Sequence, residues 1–416
     1  MSKKNAPAAT AAQPQPVPPR GPSGPLIKAL TGNEAVAYAM KQIDPDVVAA
    51  YPITPATEIV QIFSDYVNNG QVNTEMILVE SEHSAMSACI GASAAGARVM
   101  TGTSACGLAL MWEMLYVAAS LRCPIVMCDV NRALSAPINI HCDHSDTMGA
   151  RDSGWIQLYA ENTQEAYDTM IQAVRIAEDP AVRLPVMVMF DGFIISHSME
   201  GVALVPDEAV RTFVGPFKPV RWLLDTDHPY TLGALDLQDY CFEHKVTQAE
   251  ALQAVPAVVE KVGAAFGQAF GRSYGLFDAY RLDDAEVALV LIGSTAGTAK
   301  DVVDELRDQG QKVGLLRIRL FRPFPATALR EALRHLKGLA VLDRHESFSG
   351  TGGPLYHEIR SALYDLPSRP AIHGITYGIG GRDIRPADLR QVFADLIAAA
   401  QNGKVLPPVR YLGVRA

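Results

Sequence analysis

The segment Tyr51–Pro55 (YPITP) carries the first side chain that could do chemistry. It follows the apolar run Val47–Ala50, and Pro52 and Pro55 enclose Thr54. Because proline fixes φ and lacks an N–H donor, the turn is stiff and holds the Thr54 hydroxyl in one place. The alternative is that Thr54 or Thr57 only caps the helix that follows.

A carboxylate opens the next helical pattern. Glu82 follows the apolar run MILV and begins a helix of small residues, with the sequence SAMSACIGASAAGA after His83. A carboxylate at a helix start normally compensates the helix dipole, and Glu80 fits that role at least as well. A helix of small residues also permits close approach by another chain or by a flat cofactor.

Arg132 lies at the end of a third apolar run, IVMCDVN. A guanidinium fixed at the end of a strand could hold a carboxylate through two hydrogen bonds. The alternative is a structural ion pair with Asp129, Asp143 or Asp146. The sequence leaves both interpretations open.

Other polar or glycine-rich segments are weaker candidates. The run 143–146 (DHSD) could be a metal or acid–base cluster, but its spacing matches no known metal site, which favours a hydrogen-bonded loop. The run 347–353 (SFSGTGG) precedes a predicted helix whose N-terminus could hold an anion, or it is a flexible loop. The run 377–383 (YGIGGRD) does not spell a dinucleotide motif and indicates a tight turn.

The elements between these loops predict the fold. Short strands alternate with helices, which is typical of a parallel, doubly wound α/β sheet, and ligands of such sheets bind at the carboxyl ends of the strands. The predicted strands and helices of the first unit are 47–50, 58–69, 76–79, 82–95, 98–101, 108–120, 125–130, 156–159, 163–178 and 185–190. A second α/β unit begins with the apolar strand 287–293.

The chain therefore divides into five predicted segments. Residues 1–25 are Pro-, Ala- and Gln-rich, bury little apolar surface and are predicted to be disordered. The first α/β domain spans 26–214, a connecting arm spans 215–283, and the second α/β domain spans 284–395. Residues 396–416 are predicted to be a helix end that continues as an extended tail.

Composition and absent motifs exclude several classes of protein. The net charge of -9 excludes a global basic surface for nucleic acid, and no apolar stretch is long enough for a membrane span. No signal peptide, P-loop or iron–sulfur ligand run is present, and six scattered cysteines indicate buried, reduced thiols of a cytoplasmic protein. Charged residues make up only 19% of the chain, which favours a large core and surface covered by partner chains.

The order of several motifs resembles one family. YPITP, VESEHSA, TGTSACG, VNRALSAPIN, DHSD, FDGF and YGIGGRD follow one another as in the alpha subunit of the 2-oxoacid:ferredoxin oxidoreductases, most closely the pyruvate type. The similarity extends from Leu26 to Asp395. It implies a thiamine diphosphate enzyme whose alpha subunit contributes a pyrimidine-binding domain and a transketolase C-terminal-like domain.

The resemblance also implies roles for individual residues. Glu82 corresponds to the glutamate that hydrogen-bonds the aminopyrimidine ring and so promotes removal of the thiazolium proton. Thr54, beside Pro52, corresponds to the threonine that contacts cofactor and substrate. Arg132 corresponds to the arginine that holds the substrate carboxylate, whose position sets the geometry of decarboxylation.

The same resemblance implies partner subunits. The sequence lacks the Gly-Asp-Gly motif for Mg²⁺ and diphosphate, which in this family lies on the beta subunit. The site is then shared with beta, gamma and delta-type subunits that carry the iron–sulfur clusters, with coenzyme A as co-substrate and ferredoxin as acceptor. Two alternatives remain open, namely a non-redox transketolase or carboligase component and a non-catalytic scaffolding subunit.

One departure from the family concerns the substrate. His141 and Cys142 follow ALSAPINI, where the family more often has an aromatic residue and then a small or amide residue. A changed pocket could accept a larger or aromatic 2-oxoacid, such as phenylglyoxylate, in place of pyruvate. The change could equally be neutral.

Overall fold

The computed structural model describes residues 26–348 and 350–415. The predicted N-terminal tail, 1–25, lies outside these residues. Up to residue 214 the elements are β1 (Leu26–Leu30), α1 (Gly32–Ile43), β2 (Val47–Ala50), α2 (Thr57–Asn68), β3 (Glu75–Leu78), α3 (Glu82–Ala94), β4 (Val99–Thr103), α4 (Ala105–Leu110), α5 (Trp112–Ser120), β5 (Val126–Asn131), α6 (Ser145–Gly149), β6 (Ile156–Tyr159), α7 (Thr163–Glu178), β7 (Val186–Asp191), β8 (Glu200–Leu204) and α8 (Asp207–Val214).

The rest of the described chain adds a long helix and a second set of α/β elements. They are α9 (Cys241–Phe270), β9 (Phe277–Tyr280), β10 (Val287–Ile292), α10 (Thr295–Asp308), β11 (Val313–Ile318), β12 (Leu320–Arg322), α11 (Ala326–Leu333), β13 (Gly338–Asp343), α12 (Pro354–Leu363), β14 (Ala371–Thr376), α13 (Pro386–Asn402) and β15 (Val409–Tyr411). A short 3₁₀ turn, Ile379–Gly381, precedes α13.

The first sheet has seven strands in the order β12-β6-β7-β5-β4-β2-β3, and all but β12 run parallel. The strands in its centre are short and apolar, and β5 and β7 are buried along their whole length. Helices α1, α3 and α7 begin at side-chain caps; at α7 the Asn162 side chain accepts a hydrogen bond from the Glu165 backbone N–H at 2.9 Å. A separate two-stranded antiparallel ribbon pairs β1 with β8.

The second sheet has six strands in the order β15-β14-β13-β10-β11-β9, parallel except for β9. The α/β class with parallel sheets is therefore confirmed. The segment 396–416 contains the predicted helix end, since α13 extends to Asn402, but its Val409–Tyr411 segment pairs with β14 as an edge strand instead of forming a tail. This pairing satisfies backbone groups that an isolated tail would leave to water.

The predicted connecting arm, 215–283, also differs from the structure. Its helix α9 packs against α7, and apolar α9 side chains such as Val255, Val259 and Phe266 lie in the core of the first domain. Strand β9 pairs with β11 and so belongs to the second sheet. The buried α9 residues recur every three or four positions, as on one face of a helix, but the sequence did not show which domain this face packs against.

The two sheets are connected directly. The chain passes from β11 of the second sheet directly to β12, which pairs with β6 of the first sheet, before it returns to the second sheet at β13. The guanidinium groups of Arg317 and Arg319 form buried ion pairs with Glu165 of α7 at 3.1 and 3.2 Å. A cluster of buried apolar side chains contains residues of both domains, which fixes their relative position.

Within the described ranges, no helix combines the length and hydropathy needed to cross a bilayer. The six cysteines form no disulfide bond in the structure; four are buried, as predicted, whereas Cys106 and Cys241 are exposed.

Candidate functional site

The polar loops identified from the sequence gather at one edge of the first sheet. Strands β3, β2, β4 and β5 are parallel neighbours, so the segments that follow their carboxyl ends lie side by side. These segments contain Glu82, Thr54, Ser104 and Arg132. The edge is where doubly wound sheets bind ligands.

The structure brings Arg132 and Thr54 into direct contact. The Arg132 side chain donates from Nη1 to the Thr54 carbonyl oxygen at 2.9 Å and from Nε to the Asn139 carbonyl oxygen at 3.0 Å. Among the described residues no carboxylate pairs with this guanidinium, so the alternative of an ion pair with Asp129, Asp143 or Asp146 is not found. Two carbonyl contacts fix its orientation without neutralising its charge.

Thr54 does not cap the following helix. The N-cap of α2 is Ala56, which makes no side-chain capping bond, and Thr54 is exposed in the loop together with Pro52. Arg132 binds the Thr54 carbonyl oxygen and not the hydroxyl group. The Thr54 hydroxyl is therefore available to a ligand. Pro52 makes no side-chain hydrogen bond, as its ring has no donor.

Glu82 is almost completely buried, with 6% of its surface exposed, and it occupies the first position of α3. The capping function at this helix is performed by other groups, since the Ser81 hydroxyl accepts from the Ser84 N–H at 3.2 Å and Glu80 accepts from the Ser84 hydroxyl. Within residues 26–348 and 350–415 the Glu82 carboxylate has no hydrogen-bond or ion-pair partner. A buried carboxylate without a partner is costly unless a ligand supplies one.

A glycine lets the Glu82 side chain pack closely against α4. A Cβ atom added to Gly107 of α4 would lie 2.7 Å from Oε1 of Glu82 and 2.6 Å from Oγ1 of Thr103. The Thr103 hydroxyl is buried and has no hydrogen-bond partner among the described residues. Any side chain at position 107 would therefore displace Glu82 or Thr103. Nothing in the sequence indicated that Gly107 contacts Glu82.

Among the described residues, no hydrogen bond or ion pair joins Glu82 to Thr54 or Arg132. The Glu82 part and the Arg132 part of the site are connected through neighbouring strands of the sheet. Thr103 of β4 lies in register with Asp129 of β5. The sequence correctly placed all of these residues at one edge, but the structure shows two separate contact points rather than one cluster.

The DHSD segment is a hydrogen-bonded loop. Asp143 accepts from the Ser145 N–H at 3.0 Å and from the Gly380 N–H at 3.0 Å, and Asp146 accepts from four donors. His144 leaves the loop and contacts Asp191 at 2.9 Å between Nε2 and Oδ1. The segment therefore fixes the loop that carries Arg132.

Asp191, at the end of β7, is the residue that joins the two sheets at this edge. Its second carboxylate oxygen accepts from Arg344 Nη1 at 2.8 Å and from the Ser294 N–H at 3.1 Å. Burial alone would raise the pKa of Asp191, but the charges of Arg344 and His144 hold it well below its usual range. Cys142, His144 and Asp191 place their donor atoms within 4.8 Å of one another, yet Arg344 already supplies the positive charge that a metal ion would bring.

The remaining glycine-rich segments have structural roles. The GIGG turn has positive φ at Gly378, Gly380 and Gly381, as the tight-turn interpretation predicted, and Asn139 donates to the Gly380 carbonyl at 3.0 Å. The N-terminus of α12 after SFSGTGG is already bound by the Asp343 carboxylate, which accepts two backbone N–H bonds. The possible anion site is thus filled by the chain's own side chain.

His141 and Cys142 have different environments. His141 is exposed, packs 5.2 Å from the Phe193 ring and lines a cavity of about 540 Å³ with Asn139, the GIGG turn and Arg382. Cys142 is 1% exposed, and burial raises the pKa of its thiol well above the usual value. Only His141 of this pair faces open space.

Comparison with known proteins identifies the family. The model for the thiamine diphosphate-binding region of pyruvate flavodoxin/ferredoxin oxidoreductases matches residues 38–264, and the model for core domain II of pyruvate:ferredoxin oxidoreductase matches residues 285–389. The pyruvate synthase subunit PorA of Thermotoga maritima is 58% identical over 388 residues, which cover 93% of this chain and 98% of that protein. The ketoisovalerate oxidoreductase subunit VorA of Pyrococcus abyssi is 44% identical over 382 residues, covering 92% and 96%.

A solved structure agrees in fold. The 2-oxoglutarate:ferredoxin oxidoreductase from Magnetococcus marinus, solved with 2-oxoglutarate, coenzyme A and succinyl-CoA bound, has a TM-score of 0.70 at 22% identity. The match covers 91% of this chain and 66% of the neighbour's chain. Taken with the two matching family models and with relatives of similar length, these results show that the chain belongs to the 2-oxoacid:ferredoxin oxidoreductase family as an alpha subunit.

Proposed function

We propose that this chain supplies the pyrimidine side of a thiamine diphosphate site in a complex that oxidatively decarboxylates a 2-oxoacid. The observation that carries the proposal is the buried Glu82 carboxylate, which has no protein partner within the described ranges and packs closely against Gly107. The Thr103 hydroxyl, also without a partner among the described residues, lies beside the same glycine. Polar groups without protein partners fit a ring that carries hydrogen-bond donors and acceptors.

When bound, thiamine diphosphate supplies the carbon nucleophile that attacks the 2-oxo group. Glu82 would hold the aminopyrimidine ring and exchange a proton at its ring nitrogen, the general acid–base role suited to a carboxyl group. Arg132 would bind the substrate carboxylate with its unpaired charge, and Thr54 would direct the carboxylate with its hydroxyl. Pro52 would keep the Thr54 loop in place.

The balanced reaction requires partner subunits. The 2-oxoacid anion and coenzyme A give an acyl-CoA, CO₂ and a proton, and two electrons leave through iron–sulfur clusters to ferredoxin. Neither the cluster ligands nor the Mg²⁺–diphosphate motif is found in this sequence, so beta, gamma and delta-type subunits are proposed to provide them, in the cytoplasm.

Pyruvate is the proposed substrate, with a bulkier or aromatic 2-oxoacid such as phenylglyoxylate as the alternative. The relative with 58% identity is a pyruvate synthase subunit, and one with 44% identity is a ketoisovalerate oxidoreductase subunit. Of the two residues that depart from the family pattern, Cys142 is buried in the loop, so only His141 could alter a pocket.

The complex that co-purifies with this chain tests the function. We expect it to contain thiamine diphosphate and iron–sulfur clusters, to reduce ferredoxin with pyruvate and coenzyme A, and to act more weakly on 2-oxoglutarate and phenylglyoxylate. Carbon–carbon transfer without reduction of an acceptor would instead identify a carboligase. A complex without thiamine diphosphate contacts to this chain would identify a scaffolding subunit.

Gly107→Ala is expected to reduce turnover about a hundredfold, because the added methyl group displaces the Glu82 carboxylate, and errors of about 1 Å have effects of this size. The matched control is Gly91→Ala in α3, where a Cβ atom meets no other atom within 4 Å. This control should keep full turnover and gain about 0.5–1 kcal/mol in stability. Equal turnover of both variants in steady-state assays would contradict the claim that Glu82 must pack closely against Gly107 for turnover.

A further inference from the structure

Two carboxyl groups that the mechanism above does not use lie beneath Arg132. Asp129 is the fourth residue of β5 and is fully buried, and Asp146 lies in the first turn of α6 with 4% exposure. Asp129 is three residues before Arg132 in the chain. A buried pair of acids is costly and needs a physical reason.

The hydrogen bonds that Asp146 accepts explain why its carboxyl group can be buried. Its Oδ2 atom accepts from the Arg132 N–H at 2.8 Å and from the Ala105 N–H at 3.1 Å. Its Oδ1 atom accepts from the Asn131 side chain at 2.9 Å and from the Thr147 N–H at 2.8 Å. All four groups are donors, so this carboxyl group is an acceptor at both oxygens and must be ionised.

Asp129 lies in the opposite situation. Its Oδ1 atom is buried without a partner, and only the Asn131 side chain approaches Oδ2, at 3.4 Å. The Asn131 Nδ2 atom lies 3.4 Å from Asp129 Oδ2 and 2.9 Å from Asp146 Oδ1, so the two carboxyl groups are neighbours. Two neighbouring buried carboxylates repel each other, and the four donors around Asp146 favour its ionised form, so the proton lies on Asp129.

We propose that Asp146 is a positioning residue that fixes the backbone of Arg132 and so the substrate-binding guanidinium, and that it does so only while Asp129 is protonated. The inference rests on the proposed function, in which Arg132 binds the 2-oxoacid carboxylate. Loss of the proton would leave two adjacent buried carboxylates, whose repulsion would displace the Asn131–Arg132 backbone.

The surroundings support this assignment. Burial and then the charge of Asp146 raise the pKa of Asp129 well above its usual value, whereas hydrogen bonds from Arg132, Asn131 and Thr147 limit the rise that burial causes at Asp146 to about 6. The ionisable groups that act on the pair are Cys128 on the same strand and Cys106, Cys142, Asp143 and Tyr159 on neighbouring segments. Burial also raises the pKa of the Cys128 and Tyr159 side chains, so they remain neutral beside the pair.

The matched variants are Asp129→Asn and Asp146→Asn, tested in the assembled complex. Asparagine at 129 is uncharged, as the protonated acid is, whereas asparagine at 146 presents its own N–H₂ group to donors. We expect Asp129→Asn to keep the wild-type KM for pyruvate at pH 7 within about twofold and Asp146→Asn to raise it at least tenfold. Asp152→Asn, on the exposed surface, serves as the distant control.

The pH dependence gives a second readout. Because the folded state holds a proton on Asp129 that an ordinary aspartate releases, raising the pH removes the proton and should raise the wild-type KM on the alkaline side. Asp129→Asn should not show this rise. Equal KM values for the two variants at pH 7, or the same alkaline rise in Asp129→Asn as in wild type, would overturn the proposal.

Two further measurements keep the outcomes separate. If Asp146→Asn does not assemble, infrared difference spectra of wild type and Asp129→Asn decide the matter, since a carbonyl stretch of a protonated carboxyl group must be present in the wild type alone, and its absence overturns the assignment. If wild type shows no 2-oxoacid turnover, the proposed function fails, while the same spectra still test the proton on Asp129.

Discussion

Replacing Glu82 with Gln is expected to lower turnover of the assembled complex by a factor of about a hundred to ten thousand, the usual contribution of general acid–base catalysis. The amide has the same shape as the carboxyl group but cannot exchange the proton. Assembly should persist because the carboxylate has no protein partner within the described residues to lose. Turnover is measured as pyruvate-dependent ferredoxin reduction, and assembly by co-purification of the subunits.

Glu80→Gln is the matched control for this change. Glu80 lies two residues away, is exposed and accepts a hydrogen bond from the Ser84 hydroxyl, which gives it the structural role at the helix start. We expect its replacement to leave turnover within about twofold. If Glu82→Gln kept full turnover, Glu82 would have no part in proton transfer, and a loss in Glu80→Gln alone would exchange the roles of the two residues.

Replacing Arg132 with Ala is expected to lower kcat/KM for pyruvate about thirtyfold or more. A hydrogen bond to a charged group contributes about 2 kcal/mol, and a tenfold change in rate corresponds to about 1.4 kcal/mol. KM should rise because the substrate carboxylate loses its partner, and kcat should fall because the substrate is no longer held in the reacting geometry. Steady-state kinetics over a range of pyruvate concentrations separates the two effects.

Arg132→Lys tests geometry against charge. Lysine keeps the positive charge but lacks the planar fork that contacts the Thr54 and Asn139 carbonyl groups, so an intermediate loss is expected. Arg382→Ala is the control at the cavity beside His141. A KM that rises in Arg382→Ala but not in Arg132→Ala would place the substrate carboxylate in that cavity instead.

The amino-acid sequence alone determined the alternation of strands and helices. Strands 47–50 and 156–159 and helix 163–178 match the structure residue for residue, because short apolar runs between polar turns and a capped amphipathic pattern are local signals. The same order of motifs identified the family, which the matching models and relatives confirm. It also placed Glu82, Thr54 and Arg132 at one edge of the sheet.

Only the tertiary structure decided which atoms meet there. Strand β12 pairs with β6, which is far away in the sequence, and β15 joins its sheet from the end of the chain. No local pattern encodes these pairings. The close packing of Glu82 against Gly107 depends on how separate loops pack, and so does the interaction between the carboxyl groups of Asp129 and Asp146. Sequence periodicity indicates burial along one segment. The protonation of a buried acid and the packing around a glycine depend on the distance between segments that are remote in the chain.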